Sequence, residues 1–304
     1  MTPSSDLVRA TLADYIPAAR QKANTGRIPT YIPRLAAVDR QWLAVQVQLG
    51  KDCHYAMGTV EQSFALMSVI KPFVLLFLLE HFGESTVFRR VGMLPSDQPF
   101  HSIAQLADDQ GFPRNPMINS GAIALADCLP GDTGLSRCQA LCDWLNQHSG
   151  AKFFLDQEVL TSVQAIGNET NWTIATLMAD AGHLGSVDLA LDTYNHFCCL
   201  AGTIDDLTRL GLLLALPHAQ IARHHQQIVS ALMLTCGLYE ASVPFAVRVG
   251  VPAKSGVSGA LLAVIPRQGA IACYSPALDD AGNSIAGLFL LEQLTRSLNL
   301  NIFG

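Results

Sequence analysis

A chain of 304 residues, half of them apolar and only 14% charged, can fill a large core and is not a disordered polypeptide. The formal charge of −6 comes with no basic run, so nucleic acid is not an expected partner. No apolar stretch reaches the length of a bilayer span. Met1 to Asp6 shows no positive segment leading an apolar one, so neither a membrane helix nor a secretory signal is expected.

The eight cysteines are scattered without a Cys-x-x-Cys pair, which points to buried thiols in a reducing cytoplasm rather than to a zinc site. No metal or organic cofactor is expected. So apolar a surface-to-core balance predicts a homo-oligomer, a dimer or a tetramer.

The first predicted helix runs from Asp6 to about Lys22, with Leu7, Ala10, Leu12 and Ile16 as its apolar face. Two prolines hold Gly26 to Pro33 extended. Trp42 to Leu49 alternates Leu43, Val45 and Val47 against Ala44, Gln46 and Gln48, the pattern of a half-buried strand. A turn at Gly50–Asp52 leads to a partner strand from Cys53 to Met57.

From Pro72 to about Leu216 the pattern is helical. Ser136 is placed as the cap of a helix that stops before Gly150. Trp172–Ala181 and Val187–Leu200 follow, and Thr203 with its trailing aspartates opens another. Ile228 to Tyr239 reads as a helix ended near Gly237, and Phe245–Val249 as a strand. Ala260–Ile265 and Ala270–Tyr274 are strands around Pro266-Arg267-Gln268-Gly269, and Ser284–Leu298 is a closing helix. The fold class expected is α/β of the α+β kind. An antiparallel sheet lobe (residues 1–70 and 228–304) is flanked by terminal helices, and a helical lobe (71–227) is inserted between its parts.

Chemistry centres on Ser68-Val69-Ile70-Lys71, which opens the apolar run Pro72–Leu79. Residues three apart share a helix face, so Ser68 Oγ and Lys71 Nζ could meet. A lysine among apolar neighbours loses hydration of its charged form and can act as a base, which a serine nucleophile requires. Pro72 fits the first turn of a helix, where free amides bind an oxyanion. Ser-x-x-Lys is a short pattern: Ser149-Gly150-Ala151-Lys152 repeats it, and composition alone yields roughly one copy in three such chains. A second signal lies downstream at Lys254-Ser255-Gly256, before the strand Ala260–Ile265. Together the two motifs match the β-lactamase and penicillin-binding arrangement, in which the second lysine adds positive potential beside the serine.

Arg114-Asn115-Pro116-Met117-Ile118-Asn119-Ser120-Gly121-Ala122 narrows this further, as do Gly237-Leu238-Tyr239, Val249 to Val257, Ser275 to Ser284 and Tyr31 to Ala36. In these segments the chain resembles the bacterial-type serine-dependent glutaminases over about Gly26 to Leu298. The resemblance implies a β-lactamase-like fold and hydrolysis of a small amide, glutamine or a relative of it. It implies that Ser68 is the nucleophile, Lys71 its general base, and Tyr239 a proton carrier to departing ammonia, with Lys254 beside them. It also implies an oxyanion hole from the Ser68 and Val257 amides, and substrate contacts from Tyr31, Asn119, Asn171 and Tyr194.

The chain departs from the family pattern at Ile70, where a serine is common, and at His101, where an asparagine is common. It departs again at Gln164, which stands where a substrate-contacting glutamate is common. Two other readings share these residues: a β-lactam or D-Ala-D-Ala hydrolase, and a non-catalytic amino-acid-binding member of the family.

Overall fold

The computed structural model describes residues 3–304, so the first two residues of the segment read for a signal lie outside it. Among the described residues eight strands form in chain order: β1 (Ala44–Leu49), β2 (Cys53–Gly58), β3 (Phe64–Ala65), β4 (Phe154–Leu155), β5 (Leu200–Gly202), β6 (Ala253–Ser255), β7 (Ala260–Ile265) and β8 (Gly269–Tyr274). Five of them make an antiparallel sheet in the order β2-β1-β8-β7-β6. The short strands form a second sheet, β3-β5-β4, too brief to leave a periodic signature in the sequence.

The main sheet is covered on both faces. Val45, Val47, Leu261, Ala263 and Ile271 point into one core with the helices Ser5–Ala23 and Ile285–Ser297. Ala44, Leu262, Val264, Ala270 and Ala272 belong to a second, larger core with the central helices. β1 is therefore buried on both faces rather than half-buried. The helix Ile204–Ala215 lies on its second face, and Gln46 is enclosed there, donating from Nε2 to Asp205 Oδ1 at 2.8 Å. That helix comes close because its neighbours are small: a Cβ on Gly211 would stand 2.4 Å from Ala270 Cβ.

Three local expectations are corrected. In the first helix, Leu7 and Ala10 face solvent. The buried stripe is Val8, Leu12, Ala19 and Ala23, one residue round from the predicted face. Phe245–Val249 is not a strand. It falls in the helix Ser242–Arg248, where Ser242, Phe245 and Val249 are buried at helical spacing while Val247 is exposed. The cap of Gly134–Ser149 is Thr133, and Ser136 is its partner in a capping box. The second Ser-x-x-Lys copy ends that helix: Ser149 Oγ donates to Leu145 O, Gly150 is left-handed, and Lys152 is exposed.

A 3₁₀ turn, Met67–Ile70, runs directly into the helix Lys71–Phe82, whose residues Lys71 to Leu79 are all buried. Seven apolar side chains at roughly 1.5–3 kcal/mol each outweigh the several kcal/mol that enclosing one lysine costs. The helix therefore forces Lys71 into the interior.

Asn119 is set by a close approach of the helix Asn119–Asp127 to the loop before it: a Cβ on Gly121 would lie 1.9 Å from Asn115 O. Gly121→Ala is expected to lower stability by about 1–3 kcal/mol or more, read as a lower midpoint in urea denaturation. An unchanged midpoint would show that this approach is not held tightly.

Candidate active site

Ser68 sits just after Met67, whose φ is +47°, an unusual backbone for a methionine. Its amide donates no hydrogen bond among the described residues, and neither does that of Val257. The two lie together. Gly256 packs so close that a side chain there would stand 2.6 Å from Leu66 O and 3.4 Å from Ser68 N. Two free backbone donors beside a hydroxyl are the elements of an oxyanion hole.

Lys71 is fully buried one turn on. Its ammonium donates to Asn119 Oδ1 at 2.8 Å and to Met117 O at 3.4 Å. Loss of hydration lowers its pKa to about 8, with the nearby Cys198 opposing slightly. No hydrogen bond joins Lys71 Nζ to Ser68 Oγ among the described residues; the ammonium is taken up by Asn119 and Met117 instead. Asn119 Oδ1 also accepts from Tyr194 OH at 3.1 Å, and Asn119 Nδ2 donates to Asn171 Oδ1 at 2.9 Å. Asn171 is fixed in turn by the Asn168 side chain, which caps the helix Glu169–Asp180 and accepts from Asn171 N at 3.1 Å.

Lys254, on β6, is also fully buried. Its Nζ donates to Gly237 O at 3.0 Å and Ser255 O at 2.8 Å, and lies 4.2 Å from the centre of the Tyr239 ring. Burial first, and Lys71 second, push its pKa well below the ordinary lysine value. The two lysines thus disfavour each other's charge. Tyr239 lies beyond the helix Arg223–Cys236, in a short turn at φ +59°. Its hydroxyl neighbours Ser68 and donates to Ser255 O at 3.4 Å. Burial raises its pKa, with those two partners opposing. The Phe100 ring packs on it at 4.6 Å between centres.

These groups meet at a cleft of about 710 Å³. Tyr31, Ser68, Asn119, Asn171, Tyr194 and Val257 line it, while Lys71, Lys254 and Tyr239 are buried and do not line it. Gln164 is not in it. Near the end of the helix Gln157–Ala165, Val163 turns to the cleft and Gln164 to solvent. The one carboxylate among the lining residues is Glu169. Sequence reasoning also passed over Met117, whose contribution is a backbone carbonyl and so carries no side-chain signature. It took Cys198 only as one of eight scattered thiols, though Cys198 is a cleft wall whose thiol burial holds near pKa 11.

The sequence profile of the family described as Glutaminase matches residues 26–303. A glutaminase of Synechocystis sp. is 43% identical over 94% of this chain and 88% of its own length. A solved structure of the probable glutaminase ybaS superposes with a TM-score of 0.92 at 32% identity, covering 99% of both chains. That of the Bacillus subtilis glutaminase YbgJ, in covalent complex with 5-oxo-L-norleucine formed from 6-diazo-5-oxo-L-norleucine, gives 0.87 at 30% identity, covering 97% and 99%. The fold is β-lactamase-like, as expected from the two lysine motifs. The chain belongs to the glutaminase family of amidohydrolases.

Proposed function

We propose that the chain hydrolyses L-glutamine to L-glutamate and ammonia through an acyl-enzyme on Ser68. The observation that carries this is the pair of partnerless amides at Ser68 and Val257 beside a desolvated lysine. The side-chain carbonyl of glutamine accepts from both amides, and Ser68 Oγ attacks its carbon. The proton goes to Lys71 in its neutral form. The gap between Ser68 and Lys71 closes with substrate in place, since catalytic hydrogen bonds are commonly long in unliganded enzymes.

Tyr239, kept protonated by its raised pKa and adjacent to Ser68, passes a proton to the leaving nitrogen, and ammonia departs. Water then attacks the acyl carbon, giving its proton to the Tyr239 oxygen, and Lys71 returns its proton to Ser68 Oγ as glutamate leaves, so all three side chains are restored. Lys254 holds the Gly237 and Ser255 carbonyls and packs on the tyrosine ring, positioning it. Asn119, Asn171, Tyr194 and Tyr31 contact the amino-acid portion. The cleft draws on both the sheet lobe (Tyr31, Ser68, Val257) and the helical lobe (Asn119, Asn171, Tyr194).

The enzyme acts in the cytoplasm as a homo-oligomer. Eight free cysteines support a reducing compartment, and exposed Val247 (80%) and Phe303 (72%) support self-association. Light scattering on the purified chain is expected to give a mass of two or four copies; a monomer at micromolar concentration would refute this.

Ser68→Ala is expected to abolish ammonia release and to prevent mass addition by 6-diazo-5-oxo-L-norleucine, and Lys71→Ala to slow turnover by about 10²–10⁴-fold. Lys71 must be deprotonated to act, so kcat/KM in the wild type should climb with pH through about 8 and level off above it. A flat profile across neutral and mildly alkaline pH would remove Lys71 as the base.

Glu169 supplies the countercharge for the substrate's α-ammonium group, the role the resemblance gave to position 164. Exchanging a charge-assisted bond for a neutral one weakens binding roughly 5- to 30-fold. Glu169→Gln is expected to raise KM by that factor with kcat little changed, and Gln164→Glu to leave KM alone. The opposite pattern in steady-state kinetics would restore Gln164 to the site.

A further inference from the structure

The helix Lys71–Phe82 has a second functional end. Glu80 lies in its last turn, and after Gly83 the chain restarts as the short helix Glu84–Val87. The helix Arg223–Cys236 begins against this point with His224 and His225. Glu84, His224 and His225 each offer one ligand atom, and these atoms all lie within 4.8 Å of one another. His224 Nε2 is 3.6 Å from Glu84 Oε1, and the two imidazole rings are 4.0 Å apart. Four-coordinate zinc, with bonds near 2.0–2.1 Å, needs ligand atoms about 3.4 Å apart. His224 and Glu84 are exposed enough to close the remaining distance by small rotations.

Glu80 makes the cluster more than a chance grouping. Its Oε1 accepts from His225 Nδ1 at 2.7 Å and from Ala222 N at 3.0 Å, and both side chains are largely buried. With Nδ1 donating to the carboxylate, His225 presents Nε2 as a lone pair of fixed direction. A carboxylate behind a histidine is how metal-binding imidazoles are oriented.

We propose that Glu84, His224 and His225, oriented by Glu80, bind a divalent transition-metal ion of the zinc class. Imidazole with carboxylate suits zinc, cobalt, nickel and copper more than calcium or magnesium. The site stands about 14 Å along the helix from Lys71, by helical rise over nine residues. It takes no part in the hydrolysis. It clamps the start of Arg223–Cys236 to the end of the helix that carries Lys71, so a bound ion raises thermal stability.

Untagged full-length protein is titrated with cobalt(II), read by its visible absorption, and with zinc(II), read by calorimetry and by melting temperature. One equivalent of cobalt is expected, with the intense band of a four-coordinate site, and zinc displaces it. In the double variant Glu84→Ala/His224→Ala the band and the zinc-dependent rise in melting temperature are lost, while glutaminase activity remains as the check on folding. Glu80→Gln weakens affinity by about 10–100-fold. The nearby His148, whose buried Nδ1 has no partner, and His218 form the competing cluster. Stoichiometric binding that survives in the double variant, or that is lost in His148→Ala/His218→Ala instead, overturns the proposal, as does the absence of saturable binding in the wild type.

Discussion

Desolvation of Lys71 is the interaction on which the rest depends. Nothing in the residue itself lowers its pKa; the apolar helix behind it does. Phe73 to Leu79 are buried on every side, so the helix has no wet face on which a lysine at its head could stay hydrated. The ammonium keeps only what the protein supplies, an amide oxygen from Asn119 and a carbonyl from Met117. Those acceptors soften the loss without matching a carboxylate, and the pKa settles near 8 rather than at the ordinary value. A carboxylate in place of Asn119 would hold the lysine charged and raise its pKa again. The asparagine is therefore as consequential as the lysine.

A second constraint is backbone strain at the two residues flanking the chemistry. Met67 and Tyr239 both hold positive φ without being glycine, at a cost of order 1–3 kcal/mol each. Met67 turns the chain so that the Ser68 amide stays out of the 3₁₀ ladder. Tyr239 is turned back under the sheet edge by Ser242, whose hydroxyl accepts from Leu238 N and donates to Tyr239 O. The surrounding core over-determines both positions.

Much of this was legible in the sequence. The sheet strands β1, β2, β7 and β8, the helix heading Lys71 and the two lysine motifs all carry local signatures, and the structure gathers Ser68, Lys71, Tyr239, Lys254, Asn119, Asn171 and Tyr194 in one place. What failed did so for identifiable reasons. Phe245 to Val249 is apolar at alternate positions, yet Val247 is left in solvent because the segment is too short for one period to exclude another. Gln46 read as a solvent-facing residue because its partner, Asp205, lies far along the chain. Gln164 and Glu169 are separated by a break between two helices, and alignment by spacing cannot tell which one turns to the cleft. The Met117 carbonyl has no side-chain identity to read.

The strand order has a consequence for how the enzyme comes into being. β1 pairs with β8, from Ala44 opposite Tyr274 to Leu49 opposite Gly269, so the centre of the sheet joins segments from nearly opposite ends of the chain. Such pairings are slow, because a long loop must close before any contact offsets the entropy. During synthesis the β1–β2 hairpin and the helices behind Lys71 emerge first, with one apolar face of the hairpin uncovered. The amide of Val257 arrives only with β7. Ser68 is therefore in place before Lys254 and Val257 are made, so the wall of the cleft around it is completed only late in synthesis.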